Sequence, residues 1–179
     1  MKKVKYYIFA LPVAIFPYVL IAGLACLYSA KVMEEVFGGN GYALLAVVAL
    51  FIPVCGAFAI ILAVMTALGR ISGSFAAMLS MLIKLVQIPA YIAIFVLGIM
   101  FSITLFGIPF VLIFILYDIC AIAMTGLVGT CAMVNNFRSR NSTLSYSVLF
   151  AVCQFIFCID VIFALISFVT IKKNVAKCG

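Results

Sequence analysis

The sequence predicts an all-α fold, a polytopic transmembrane helical bundle of about five spans within a single domain, residues 1–179. Of the 179 residues, 69% are hydrophobic and only 8% are charged, whereas soluble domains carry about 25% charged residues. The few charges lie mostly between long apolar runs, so most side chains are expected to contact lipid. Apolar and polar residues do not alternate along these runs, which argues against a β-barrel.

The N-terminal third predicts two spans. Residues 6–30 are apolar after a basic start, and this run exceeds the roughly 7 to 15 apolar residues of a signal-peptide core. We therefore expect a retained first span. An acidic loop that ends in turn-forming residues follows at 31–41, and residues 42–68 form the second span, with a kink expected at Pro53.

The segment 71–87 supports two interpretations. Small and weakly polar side chains recur there at helical spacing and form one stripe: Gly73, Ala77, Ser80, Lys84 and Gln87. Such a stripe suits a helix that lies in the membrane interface. The same residues could instead lengthen the next span, with Pro89 as a kink.

The C-terminal half predicts three further spans. Residues 88–134 are far longer than the ~20 residues needed for one crossing, so they must fold back, and the turn is expected at Phe106-Gly107-Ile108-Pro109. This gives spans at 88–106 and 109–134. After a polar loop, residues 144–171 form the last predicted span and are followed by a lysine-rich tail.

Basic residues give a prediction of orientation. A cytoplasmic N-terminus would place these residues inside: Lys2, Lys3, Lys5, Arg70, Lys84, Arg138 and Arg140. It would place Lys31 and the tail lysines outside, against the excess of basic residues expected in cytoplasmic loops. If 71–87 also crossed, both ends would be inside and the loop with Arg138 would be the exception.

Two intramembrane acids, Asp118 and Asp160, are the strongest candidates for function, because ionisable residues inside spans are costly. At 1.5 Å per residue, each lies ~25 Å from the polar loop between the last two predicted spans. We predict a polar site at this level formed by Asp118, Asp160, Thr125 and Cys153. Two close carboxylates could bind a proton, a cation or a substrate; alternatively, protonated acids could join helices by hydrogen bonds.

Small residues share one face of the fourth predicted span with the first acid: Ala121, Thr125, Gly129 and Ala132. Such residues let helices approach closely in membranes. On the last predicted span, side chains at seven-residue intervals lie on the face of the second acid: Tyr146, Cys153, Asp160 and Ser167. Both faces are therefore expected to point into the bundle.

The sequence gives little support for a metal site or a catalytic site. The chain has 7 cysteines but no Cys-x-x-Cys pair and no histidine, so neither a zinc site nor the usual general base is predicted. In the triplets Asp118-Ile119-Cys120 and Cys158-Ile159-Asp160, helical geometry turns each cysteine away from its aspartate. We therefore predict no cofactor and no metal. We also predict no nucleic-acid partner, because the basic residues flank apolar spans.

Two resemblances add to this interpretation. Tyr117-Asp118 resembles one motif of intramembrane aspartyl proteases, but the companion glycine-x-glycine-aspartate motif is absent, since Phe157-Cys158-Ile159 precedes the second aspartate. The stretch from Lys84 to Ile92, followed by an aliphatic run and Gly98, resembles small uncharacterised multi-span proteins of Gram-positive bacteria. That resemblance implies a bacterial plasma membrane and no activity.

Two functions remain open. The short loops leave little aqueous machinery, which favours a non-enzymatic membrane subunit or regulatory partner that contacts the lipid bilayer and other membrane proteins. The alternative is a small-solute or proton-coupled transporter, or its substrate-binding subunit, that uses the two intramembrane aspartates. An intramembrane aspartyl protease is a remote third hypothesis.

Overall fold

The computed structural model describes residues 4–104, 107–140, 142–156 and 159–178. These residues form an all-α bundle without strands, which confirms the predicted fold class. The helices in the described ranges are α1 Val4–Tyr28, α2 Ala30–Phe37, α3 Gly41–Ala67, α4 Gly73–Ser102, α5 Ile108–Arg138, α6 Leu144–Cys153 and α7 Ile159–Cys178. Four of these, α1, α3, α4 and α5, are long and apolar enough to cross a membrane.

The four long helices alternate in direction. α1 and α4 run parallel, since the Tyr6 hydroxyl donates to the Arg70 carbonyl and the Tyr18 hydroxyl donates to the Val86 carbonyl. The C-terminal ends of α3 and α5 lie beside the start of α4, because the amide of Asn135 donates to the carbonyls of Thr66 and Ile71. One end of the bundle therefore holds the start of α1, the end of α3, the start of α4 and the end of α5.

The segment 71–87 belongs to a membrane-length helix. Residues 73–102 form the single helix α4, so residues 73–87 lengthen the predicted span at its start, as the second interpretation expected, and they do not form a separate helix. The predicted polar stripe exists, but it faces protein: Ala77, Ser80, Lys84 and Gln87 are each at most 2% exposed. The Gln87 amide donates to the Val13 carbonyl of α1 at 2.7 Å, which shows why the stripe points inward.

The predicted turn between the third and fourth spans lies partly outside the described residues, which omit 105 and 106. The helices on either side agree with it, since α4 ends at Ser102 and α5 begins at Ile108 with Pro109 in its first turn. Proline suits the first turn of a helix because its missing N–H has no partner there.

The predicted span 144–171 is not one helix. α6 ends at Cys153 and α7 begins at Ile159. The rings of Phe150 and Phe163 lie 5.0 Å apart, whereas the ~13 residues between them would separate them by ~20 Å along a straight helix. Thr170 also lies beside the hydroxyl of Tyr146. α7 therefore runs back along α6, and the two form a helical hairpin whose ends are on the same side.

The hairpin covers only part of the bundle. α6 has 10 residues and is thus ~15 Å long, about half of a ~30 Å hydrocarbon core. The hydroxyl of Thr130 on α5 donates to the Ala151 carbonyl on α6 at 3.5 Å. On the other arm, Asp160 of α7 contacts Lys84 of α4. The hairpin thus lies over the α4–α5 pair and reverses part of the way along it.

This reversal separates the charges of the chain. Among the residues described, the exposed cations Lys5, Arg70, Arg138, Arg140 and Lys172 lie at the end of the bundle where α1 starts, here called the basic end. The exposed residues Lys31, Glu34 and Glu35 lie on α2 at the opposite end. A single basic end agrees with the positive-inside rule, which a straight last span violated.

The hairpin predicts that both chain ends lie on one side of the membrane. Green fluorescent protein fused before Met1 or after Gly179 should fluoresce in both fusions, because it folds in the cytoplasm. Alkaline phosphatase inserted at Gly39, between α2 and α3, should be active on the other side and serves as the control. Opposite locations for the two ends would mean that the last segment crosses the membrane.

Candidate functional site at the hairpin tip

Lys84 is the centre of the buried polar cluster. It lies one-third of the way along α4 and its side chain is 0% exposed. The ammonium lies 3.0 Å from a carboxylate oxygen of Asp160, whose side chain is 3% exposed. It also donates to the side-chain oxygen of Gln154 at 2.5 Å and to the Gln154 carbonyl at 3.3 Å. Three oxygen atoms thus lie within 3.3 Å of the ammonium, and a buried charge needs such partners.

The two arms of the hairpin supply these acceptors at its tip. Gln154 caps the C-terminus of α6, where backbone carbonyls lack intrahelical partners and the helix dipole is negative. Asp160 lies in the first turn of α7, where the dipole favours a carboxylate. The Asp160 N–H donates to the Ile156 carbonyl at 2.9 Å and closes the turn. The end of α6 therefore stabilises the ammonium directly, and the start of α7 stabilises the carboxylate that pairs with it.

Two glycines of α5 allow the tip to approach. A Cβ on Gly126 would lie 2.7 Å from a ring carbon of Phe155, and one on Gly129 would lie 2.7 Å from the side-chain oxygen of Gln154. At either position a Cβ would force the neighbouring side chain of the hairpin tip to shift. The small-residue face predicted on this helix is indeed buried, at Ala121, Thr125, Gly129 and Ala132. Part of it contacts the hairpin tip, where a straight fifth span was predicted.

The four residues of the predicted polar site differ in their contacts. Asp160 is paired with Lys84, and Cys153 is buried at the end of α6, next to Gln154. Thr125 is buried, but its hydroxyl donates to the Ala121 carbonyl of its own helix at 3.0 Å.

The two carboxylates border different cavities. Asp160 borders a cavity of about 260 Å³ with Tyr91 and Ile122. Asp118 borders another of about 230 Å³ with Gly98 and Ser102. The two acids therefore line different cavities.

Lys84 and Gln154 were missed as site residues. Lys84 was interpreted as a sign of an interfacial helix, and Gln154 carried no prediction. The sequence did contain a signal that could have found them. If residues 71–87 belong to a span, Lys84 is a cation inside that span, and Asp160 is an acid inside another predicted span. A buried charge needs an opposite charge, so pairing these two residues would have predicted contact between α4 and the last segment.

The α4–α5 face beyond the hairpin tip is open. We call it the open groove and define it by Phe95, Gly98, Ile99, Ser102, Ile115 and Asp118. Its apolar members project outward, with Phe95 60%, Ile99 52% and Ile115 50% exposed. Asp118 is half-buried, and its Oδ1 atom is buried without a hydrogen-bond partner among the described residues. The groove thus combines lipid-facing apolar walls with one carboxyl group.

Metal ligands do not cluster in the described ranges, where no group of three Cys, Asp or Glu side chains could hold an ion. Cys158 of the second aspartate–cysteine triplet lies outside those ranges. Comparison with protein-family models, curated proteins and solved structures finds no match to this chain. Function must therefore be inferred from the geometry of the tip and the groove.

Replacing Lys84 with methionine should destabilise the protein. The change leaves the Asp160 carboxyl and the Gln154 carbonyl buried without their cation, and breaking a buried ion pair costs about 3–5 kcal/mol. The free energy of unfolding can be measured by steric trapping in bicelles. The double variant Lys84→Met, Asp160→Leu should recover much of the loss, because neither charge remains.

Lys31→Met is the matched control. Lys31 is 82% exposed and 4.0 Å from Glu35, and exposed pairs contribute little to stability. A Lys84→Met variant as stable as this control would contradict the role assigned to the buried ammonium.

Proposed function

We propose that this protein is a small membrane subunit or regulatory partner that binds a transmembrane segment of another membrane protein in the open groove. The observation that carries the proposal is the half-length hairpin, which leaves part of the α4–α5 face uncovered. The connections between successive helices are short, as at 68–72 and 139–143. Little surface is left outside the bilayer, so the proposal assigns binding within it and no chemical reaction.

The groove has features that suit a helix. Gly98 and Ser102 are four residues apart on α4, a small-xxx-small spacing that lets two helices pack closely in membranes. The Ser102 hydroxyl donates to the Gly98 carbonyl at 2.7 Å, so it adds no unsatisfied donor to this surface. Phe95 and Ile99 flank the small residues with exposed apolar area. These features favour a helix over a polar solute.

We infer that the protein lies in a bacterial plasma membrane, as the resemblance of Lys84 to Ile92 implies. We infer further that the basic end faces the cytoplasm, because positive charge is retained on that side. The exposed cations Arg70, Arg138 and Lys172 at that end support this orientation.

Photo-crosslinking in native membranes tests the proposed groove. p-Benzoylphenylalanine at Phe95, which is 60% exposed in the groove, should yield a discrete adduct with another membrane protein. The same replacement at Phe51, 40% exposed on α3, is the control and should give only lipid adducts. The captured protein, tagged in turn, should co-purify with the unmodified chain. Lipid adducts alone at both positions would argue against a partner in the groove.

A proton-coupled or small-solute transporter is the second candidate. It is favoured by one observation: Asp160 borders a cavity of about 260 Å³ together with Tyr91. The Tyr91 hydroxyl donates to the Gln87 side-chain oxygen at 3.0 Å, so polar groups continue from the cavity into the bundle. A proton held on Asp160 could then be exchanged at this cavity.

Flux measurements separate the two candidates. Transport through Asp160 predicts that proteoliposomes with an internal pH dye acidify faster than empty liposomes, and that Asp118→Asn, Asp160→Asn removes the difference. The membrane-subunit proposal predicts no difference from empty liposomes for either protein. Flux that survives the double substitution would exclude this transport mechanism.

A further inference from the structure

We propose that the helix bound in the open groove carries a lysine or arginine within the membrane, and that this cation pairs with Asp118. The inference rests on the proposed function and adds the chemistry of the partner. Its basis is the buried Oδ1 atom of Asp118, which has no hydrogen-bond partner among the described residues. A carboxyl group inside a membrane is costly unless it is paired or hydrogen-bonded.

The cations whose side chains the structure describes do not pair with Asp118. Lys84 is the one buried cation among them, and it is held by Asp160 and Gln154. The others are exposed at the ends of the bundle: Lys5, Lys31, Arg70, Arg138, Arg140 and Lys172. Arg138, at the end of the same helix, lies ~20 residues and thus ~30 Å from Asp118. The pairing cation is therefore assigned to the bound helix.

The fold already contains the proposed arrangement once. At the hairpin tip, a cation from one helix meets a carboxylate from another where glycines allow close approach, at Gly126 and Gly129. In the groove, the carboxyl of Asp118 lies beside Gly98 and Ser102, so the carboxylate and the small residues are present and the cation is not. Opposite charge across a helix contact both stabilises the contact and selects the partner.

Other occupants fit this chemistry less well. A second copy of the chain, placed with two-fold symmetry, would bring the two Asp118 carboxyls together, and close like charges oppose each other. A lipid acyl chain would cover the apolar walls but leave the carboxyl unpaired. A helix with one basic residue would cover the apolar walls and also pair with the carboxyl of Asp118, so the proposed partner is such a helix.

The position of Asp118 along α5 determines where the partner's cation must lie in its own span. Asp118 lies ~10 residues after Ile108, where α5 starts, which corresponds to ~15 Å along the helix axis. This is about half of a ~30 Å hydrocarbon core. A partner with its lysine or arginine near the middle of its span, with small residues facing Gly98 and Ser102, therefore matches the groove.

A polyleucine transmembrane peptide with one central lysine is a direct probe. Binding to the full-length protein in phosphatidylcholine vesicles can be measured by energy transfer and compared with a peptide that has leucine instead. We expect the lysine peptide to bind about tenfold more tightly, equivalent to ~1.4 kcal/mol. Asp118→Asn, nearly the same size, should abolish that preference, and Glu34→Gln on α2 should keep it.

A charge swap makes the test specific. Asp118→Lys should lose the lysine peptide and bind the corresponding aspartate peptide, and thermal stability of each variant shows that the fold is kept. Equal binding of the lysine and leucine peptides, or a lysine preference that persists in Asp118→Asn, would overturn the pairing. Self-association that depends on Asp118 and blocks the peptide would also overturn it, in favour of a dimer.

The two proposals can fail separately. A protein adduct at Phe95 without any lysine preference would leave the subunit proposal standing and remove the ion pair. A lysine preference without an adduct in native membranes would show that the groove recognises basic helices but that the subunit proposal lacks a partner there.

Discussion

The arrangement of the last third of the chain depends on the buried ammonium of Lys84. A charge in a region of low dielectric is tolerated only when opposite charge and hydrogen-bond acceptors surround it. Along one straight helix, Gln154 and Asp160 would lie ~9 Å apart along the axis and point in directions ~120° apart. One ammonium could not reach both. Breaking the helix between them lets both converge on Lys84, as the structure shows.

That break determines the shape of the membrane-facing surface. Because the chain reverses at the tip, α7 returns toward the basic end, and Lys172 lies on the same side as Arg70 and Arg138. The α4–α5 face beyond the tip stays uncovered for the same reason. The internal ion pair thus leaves Asp118 outside the polar cluster. Topology, groove and candidate carboxyl all follow from one contact between α4 and the hairpin.

The sequence predicted features that depend on composition and local spacing. Long apolar runs predicted the four long helices, and small residues at helical spacing predicted the buried face of α5. The hairpin was not predictable in that way, because no glycine or proline marks the turn between Gln154 and Asp160. A contact from distant Lys84 stabilises that turn. The α4 stripe was visible in the sequence, but its burial depends on Val13 and Asp160. The misplaced tail lysines were the one sequence signal against a straight last span.

The two intramembrane aspartates differ in what a ligand would have to displace. The ammonium of Lys84 is held by Asp160 and Gln154, so a solute using Asp160 must first separate a buried ion pair, at a cost of about 3–5 kcal/mol. Binding at Asp118 displaces no described partner of Oδ1 and gives a buried acceptor its first donor. The same carboxyl chemistry therefore stabilises the fold at Asp160 and favours recruitment of a partner at Asp118. This difference is the physical reason for preferring a membrane subunit to a transporter.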